Sequence, residues 1–266
     1  MKLSRVPASR LCTQTELSSQ KFQRWAQVLR EPHMVLHRKL WEWCFITEVL
    51  QKDGMLSAGK SGLGFAVGRE PLVAYFASLG SEILASDLDV ERAAIAGWVG
   101  SNEHAASLEI LNERNICPAD LFKKNVRFQE VDMNNFISHD LGLFDFLWSS
   151  CAFEHLGSLE HGLKFVENSM DCLKPGGLAV HTTEFNVGSN EKTHENGGTV
   201  IYRKRDIEEL VKRLRNAGHK VRVNYNFGDQ PADYNIDVPP YTHDVHLKLH
   251  LMGHTTTSIG LVIRKK

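Results

Sequence analysis

Apolar residues along this chain change their spacing several times, and each change marks an element. Between about Lys21 and Gln51 they recur at helical spacing: Phe22, Trp25, Val28 and Leu29, then Leu36, Leu40, Trp43, Ile46 and Leu50. Pro32 divides this region into two helices, because a proline inside a helix removes a hydrogen bond and clashes with the preceding turn. Trp41 and Trp43 read as packing rather than recognition. Residues 1–20 are polar and contain several Ser and Thr, the pattern of a loosely held lead-in. Asp53-Gly54 and Ala58-Gly59 stop the helical pattern.

From there, short apolar runs alternate with amphipathic stretches. Residues 62–66 predict a strand and 70–78 a helix closed by Gly80; 83–85 predict a strand ending at Ser86-Asp87, with a helix from near Val90. Strands follow at 126–131 and 144–148, then a helix over 161–172. Lys174-Pro175-Gly176-Gly177 turns the chain into a strand at 178–182. A helix over 205–217 ends at Gly218. Residues 246–250 and 258–263 alternate with period two around a turn, which predicts a hairpin. Strands alternating with helices make an α/β fold with a parallel sheet, and the closing hairpin adds an antiparallel edge.

Composition narrows the class. The 266 residues are 42% hydrophobic and 24% charged, an ordinary globular balance for one large domain or a domain with an appendage. Thirty-one Lys+Arg against 32 Asp+Glu leave a net charge of −1, which argues against nucleic acid as a partner. No stretch approaches the roughly 18 uncharged apolar residues of a membrane span. The first seven residues carry positive charge with no apolar run behind it, so no secretory signal is expected. Cys12, Cys44, Cys117, Cys151 and Cys172 are odd in number and form no CxxC pair. That argues against a disulfide framework or structural zinc site and for reduced thiols in the cytoplasm.

In an open α/β sheet the ligand lies beyond the carboxyl ends of the strands. The residues there are the loop from Gly62 to Glu70, then Asp87, Asp132-Met133, the run from Ser149 to His155, and the run from His181 to Asn186. A glycine loop followed by an acid at the end of the next strand lets backbone approach a ligand while the carboxylate accepts two ribose hydroxyls. That pairing suits a nicotinamide dinucleotide or S-adenosylmethionine. Asp87 also reads as a plain helix N-cap.

Phe144 to Ser149, the following helix, and Leu173-Lys174-Pro175-Gly176-Gly177 before a strand together resemble the class I S-adenosylmethionine-dependent methyltransferases. The resemblance covers residues 58–190 well and extends more loosely to the end. It implies a Rossmann-like seven-stranded sheet, parallel except for its last strand, with helices on both faces. Residues 1–55 are then an N-terminal helical extension and 56–266 the cofactor-binding domain, with 97–125 and 228–246 as insertions that set acceptor specificity. The glycine motif departs from the family's acidic-x-Gly-x-Gly-x-Gly. Aligning by glycines uses Gly62, Gly64 and Gly68, with Lys60 at the acidic position. Counting back from Gly80 and Asp87 instead puts Gly64 at the acidic position and Ala66, Gly68 and Glu70 at the glycines; this second register is preferred. Glu70 then replaces the missing acid toward the methionine ammonium. By the same resemblance Asp87 holds the ribose hydroxyls, Asp132 accepts from the adenine amino group, Met133 packs on the ring, and Ser149 lines the methionine end.

Methyl transfer from a sulfonium is an in-line displacement, so the enzyme aligns the acceptor and helps remove its proton. The candidates are Glu154, His155, His181 and Glu184. One assignment makes His155 the general base, oriented by a carboxylate. In the other, Glu154, His155 and Glu184 or His181 hold a divalent metal, although Cys151 stands where a further carboxylate is expected. The metal assignment is the less favoured. In the tail, Asp233-Tyr234-Asn235 and the run from Pro239 to His246, with Trp98, Glu103 and His104, suit a hydroxylated small-molecule or glycan acceptor, a lean from composition. Methylation of a sugar hydroxyl is the leading expectation. The alternatives are a metal-assisted RNA ribose methyltransferase, a dinucleotide oxidoreductase, and an inactive cofactor-binding partner subunit.

Overall fold

The structure is a computed structural model that describes residues 6–31, 36–101, 103–105, 107–242 and 244–266. Its first element departs from the sequence expectation. Ser9–Leu11, inside the stretch read as a loose lead-in, is strand β1 of the central sheet. Ser9 and Cys12 are completely buried, and the Ser9 hydroxyl accepts from the Val262 N–H at 2.9 Å. Three residues carry too little periodicity to announce a strand; the unpaired edge they meet decides their conformation.

After a single helical turn at Gln14–Leu17 come two longer helices, α1 (Gln20–Val28) and α2 (Arg38–Lys52). Pro32, the expected break, lies outside the described residues. Every residue of α2 from Leu40 to Leu50 is buried. Then come β2 (Ser61–Phe65), α3 (Leu72–Ser78), β3 (Glu82–Asp87), α4 (Val90–Ile95), α5 (Ala119–Asn125), β4 (Val126–Glu130) and β5 (Phe144–Ser150). The chain continues through α6 (Leu159–Ser169), β6 (Leu173–Asn186), α7 (Lys204–Asn216), β7 (Lys248–Leu251) and β8 (His254–Arg264).

Along the main path the sheet order is Val223–Asn224, β1, β8, β6, β5, β2, β3, β4. Strands β2 to β6 are mutually parallel, and β8 runs antiparallel to β6 from Thr256 opposite Asn186 to Arg264 opposite Leu178. This is the mostly parallel, Rossmann-like sheet the sequence predicts, widened from seven strands to eleven by β1, β7 and short segments. The closing hairpin forms, but β8 is not an edge, since β1 covers its outer side.

Period-two alternation sorts the core into two layers. Phe146, Trp148, Val180 and Val262 face the side of α2 and α3, while Leu147, Ala179, Leu261 and Ile263 face that of α6 and α7. The Lys174 turn is a bulge within β6: Leu173 pairs with Phe144 and Leu178 with Phe146, and Gly176 takes φ +78° to allow it. At this foot of the sheet Asp145 accepts from Lys60 at 3.0 Å, the Ser61 N–H at 3.0 Å and Lys174 at 2.8 Å. Burial raises its carboxyl, but these donors win and hold it well below the usual range. The foot is thus pinned, and the opposite strand ends are left for chemistry. Among the described residues no helix is long and apolar enough to cross a membrane.

Candidate active site

A cavity of about 840 Å³ opens at the carboxyl ends of the parallel strands. The turn after β2 forms its first wall. Ala66 and Gly68 take φ +46° and +50°, whereas Gly62 and Gly64 lie inside the strand. A Cβ on Gly68 would stand 2.5 Å from the Glu103 carbonyl oxygen, so this close approach admits no side chain. Asp87 ends β3 and braces the turn. Its Oδ2 accepts from the N–H groups of Gly68 at 3.0 Å and Ala105 at 3.1 Å, and its Oδ1 from Leu88 at 2.8 Å. The helix N-cap at α4 is Asp89, so Asp87 is left for the cavity. Burial raises its carboxyl, against the pull of these N–H groups.

Asp132 and Met133 line the same cavity as Asp87. Asp132 pairs with Arg92 at 2.8 Å and closes a turn on the Asn134 N–H at 2.8 Å. From the insertion, Trp98, Glu103 and His104 reach the cavity, with His104 Nε2 2.7 Å from the Leu88 carbonyl. Glu70 lines it too, buried, with Oε2 lacking a hydrogen-bond partner. Burial pushes its carboxyl up to about 8 despite Lys39, Trp43 and Ser150 nearby.

Three expected residues are not brought to the cavity: Gly64, Ser149 and His181. Gly64 sits beneath the Trp148 ring. Ser149 and His181, paired in register, point to the α6 side, where Ser149 Oγ meets His181 Nδ1 at 2.8 Å and Phe153 and Phe165 meet the ring edge-on. Burial pushes His181 down to about 3, so it is neutral at any working pH. His181→Gln is therefore expected to lower stability by roughly 1–3 kcal/mol through its buried partners and to leave cofactor affinity within about twofold. Denaturant unfolding and calorimetry check this; a large loss of affinity with stability intact would return His181 to the site.

The cavity also has a charged floor. One turn of α2 delivers Arg38 and Glu42, and Arg38 Nη1 lies 3.2 Å from Glu42 and 3.3 Å from Cys151 Sγ. Its other terminal nitrogen ion-pairs with Glu184 Oε1. Glu42, fully buried, collects hydroxyls from Ser150 at 3.2 Å, Thr182 at 3.0 Å and Ser258. Burial pushes the Glu184 carboxyl up to about 7, with Arg38 pulling it down. Glu154 accepts from the Thr183 hydroxyl at 2.9 Å. His155 also lines the cavity, and among the described residues its ring is held by backbone rather than by a carboxylate hydrogen bond: Nδ1 lies 2.8 Å from the Gly198 carbonyl.

Arg38 and Glu42 were missed in the sequence, and so was the pairing of His246 with Asp237. The available signal was two charges four residues apart at the start of a strongly apolar helix. His246 Nδ1 lies 2.6 Å from Asp237, and its ring stacks on His37 at 4.6 Å at the cavity wall. The His37 stack joins segments far apart in the chain, so spacing did not reveal it. His243, from the same polar run, lies outside the described residues.

No protein-family model and no curated protein matches this chain. Solved structures do. A protein assigned as a sarcosine dimethylglycine methyltransferase from Galdieria sulphuraria superposes with a TM-score of 0.53 at 16% identity, covering 84% of this chain and 83% of that one. Magnesium protoporphyrin IX methyltransferase from Synechocystis PCC 6803, with bound SAH, gives 0.52 at 11% identity over 95% and 98%. At these identities the likeness establishes the fold: this chain has the Rossmann-like fold found in those methyltransferases.

Proposed function

We propose that this protein is an S-adenosylmethionine-dependent methyltransferase acting on a hydroxyl of a small polar acceptor, a sugar or glycosylated metabolite. The observation that carries the reading is the pairing of a braced Asp87 with an unpartnered Glu70 oxygen in one cavity at the strand ends. Asp87 would hold the ribose hydroxyls, Asp132 and Met133 the adenine, and Glu70 the methionine ammonium. The cofactor supplies an electrophilic methyl group. The chain's own residues align the acceptor and remove its proton, with Arg38, Glu184 and His246 as hydrogen-bonding groups and His155 as general base. Many polar groups at that end support a hydroxylated acceptor.

Calorimetric titration with S-adenosylhomocysteine tests the cofactor. Micromolar binding is expected, weakened roughly 10–100-fold in Asp87→Ala, as loss of charge-assisted hydrogen bonds would do. A proton count sharpens the result. With burial raising its carboxyl to about 8, Glu70 is largely protonated at pH 7 and must ionise to hold an ammonium. Binding should release close to one proton, and none from this group in Glu70→Gln. No binding at all would sink the reading.

A further inference from the structure

We propose that Cys151, Glu154 and Glu184 form a binding site for one divalent cation of the zinc type. Cys151 follows β5, Glu154 lies three residues on, and Glu184 sits near the end of the adjacent β6. One ligand atom from each lies within 4.8 Å of the other two. Tetrahedral zinc, with bonds of about 2.0–2.3 Å, spaces its ligands about 3.3–3.8 Å apart, so an inward shift of about 1 Å completes the set. Neither His155 nor His181 belongs to the cluster.

The two carboxylates share a pattern that an ordinary acidic cluster lacks. Each has one oxygen clamped from outside: Thr183 holds Glu154 Oε2 at 2.9 Å, and Arg38 holds Glu184 Oε1. Each has its other oxygen, Glu154 Oε1 and Glu184 Oε2, buried and without a hydrogen-bond partner. The residues are 0% and 3% exposed, so water does not compensate either atom. Glu42, by contrast, is surrounded by donors. A carboxylate with one oxygen held by a donor and the other free is how second-shell partners prepare a metal ligand. Three carboxyl groups, Glu42, Glu154 and Glu184, gather here around the single guanidinium of Arg38, an acid-rich setting that suits a cation. Nearby Lys39 is taken by Glu103 at 3.1 Å.

A sulfur with two carboxylate oxygens favours zinc over magnesium or calcium. The Cys151 thiol gives up its proton to solvent as the sulfur–metal bond forms. All three residues border the cavity, so the fourth position opens toward it. An acceptor hydroxyl bound there would be acidified, a role that rests on the methyltransferase reading; cation binding itself does not.

The test uses the whole chain, stripped with a chelator and titrated with zinc or with cobalt(II) as a coloured probe. One equivalent of zinc should bind, and cobalt should show a sulfur-to-metal charge-transfer band. Cys151→Ser should abolish the band while Cys117→Ser keeps it, and Thr183→Val should weaken zinc about 10–100-fold, as loss of a second-shell partner does. The proposal is overturned if the wild-type chain takes up no stoichiometric metal, or if binding survives both Cys151→Ser and Glu154→Gln. Cofactor titration on the same stripped protein keeps the two readings apart.

Discussion

Replacing His155 by Gln is expected to cut turnover about a hundred- to ten-thousand-fold, the usual worth of a general base, while S-adenosylhomocysteine affinity stays within about twofold. One hydrogen bond sets the tautomer of the ring. A carbonyl oxygen only accepts, so the 2.8 Å contact between His155 Nδ1 and Gly198 O places the proton on Nδ1. Nε2 then holds the lone pair that can take a hydroxyl proton. The Thr199 hydroxyl lies 3.2 Å from the same Nδ1, and the Trp98 ring meets the imidazole edge-on at 4.6 Å. Ring orientation is thus fixed by backbone and packing. Single-turnover rates and calorimetry on the same variant separate chemistry from binding. Unchanged turnover would sink the base assignment; a parallel loss of affinity would show that the ring only shapes the pocket.

His155 was legible in the sequence as a residue but not in its setting. The parallel strands and their helices were legible because two periods, 2 and 3.6, write themselves into apolar spacing. Asp87 was legible because it ends a strand in such a sheet. Ser149 and His181 show the limit: apolar spacing sets them at strand ends, but both lie inside longer strands, and their phase turns each toward the α6 layer. β1 shows another, since an edge far along the chain recruits it. The floor of the site was least legible. Arg38 meets Glu184 and Cys151 only after α2 packs across β5, β6 and β8, and no local pattern records such a contact.

The same floor carries the largest stability prediction. Arg38→Met is expected to destabilise the chain by about 3–5 kcal/mol, because it strands buried carboxylates that its guanidinium now neutralises. The partners decide the size. The side chain of Glu42 is 0% exposed and that of Glu184 is 4% exposed, so water cannot replace the lost charge. Arg205 and Glu191, at 44% and 81%, form an ion pair of similar geometry that should contribute less than about 1 kcal/mol. If burial is the cause, removing one stranded charge should recover stability. Arg38→Met with Glu184→Gln should therefore unfold at higher denaturant than Arg38→Met alone, recovering about half of the loss. A single-variant loss below about 1 kcal/mol would mean that solvent reaches the floor and screens it. Denaturant unfolding of Arg38→Met thus probes the electrostatics of the stability core and of the proposed acceptor site in one measurement.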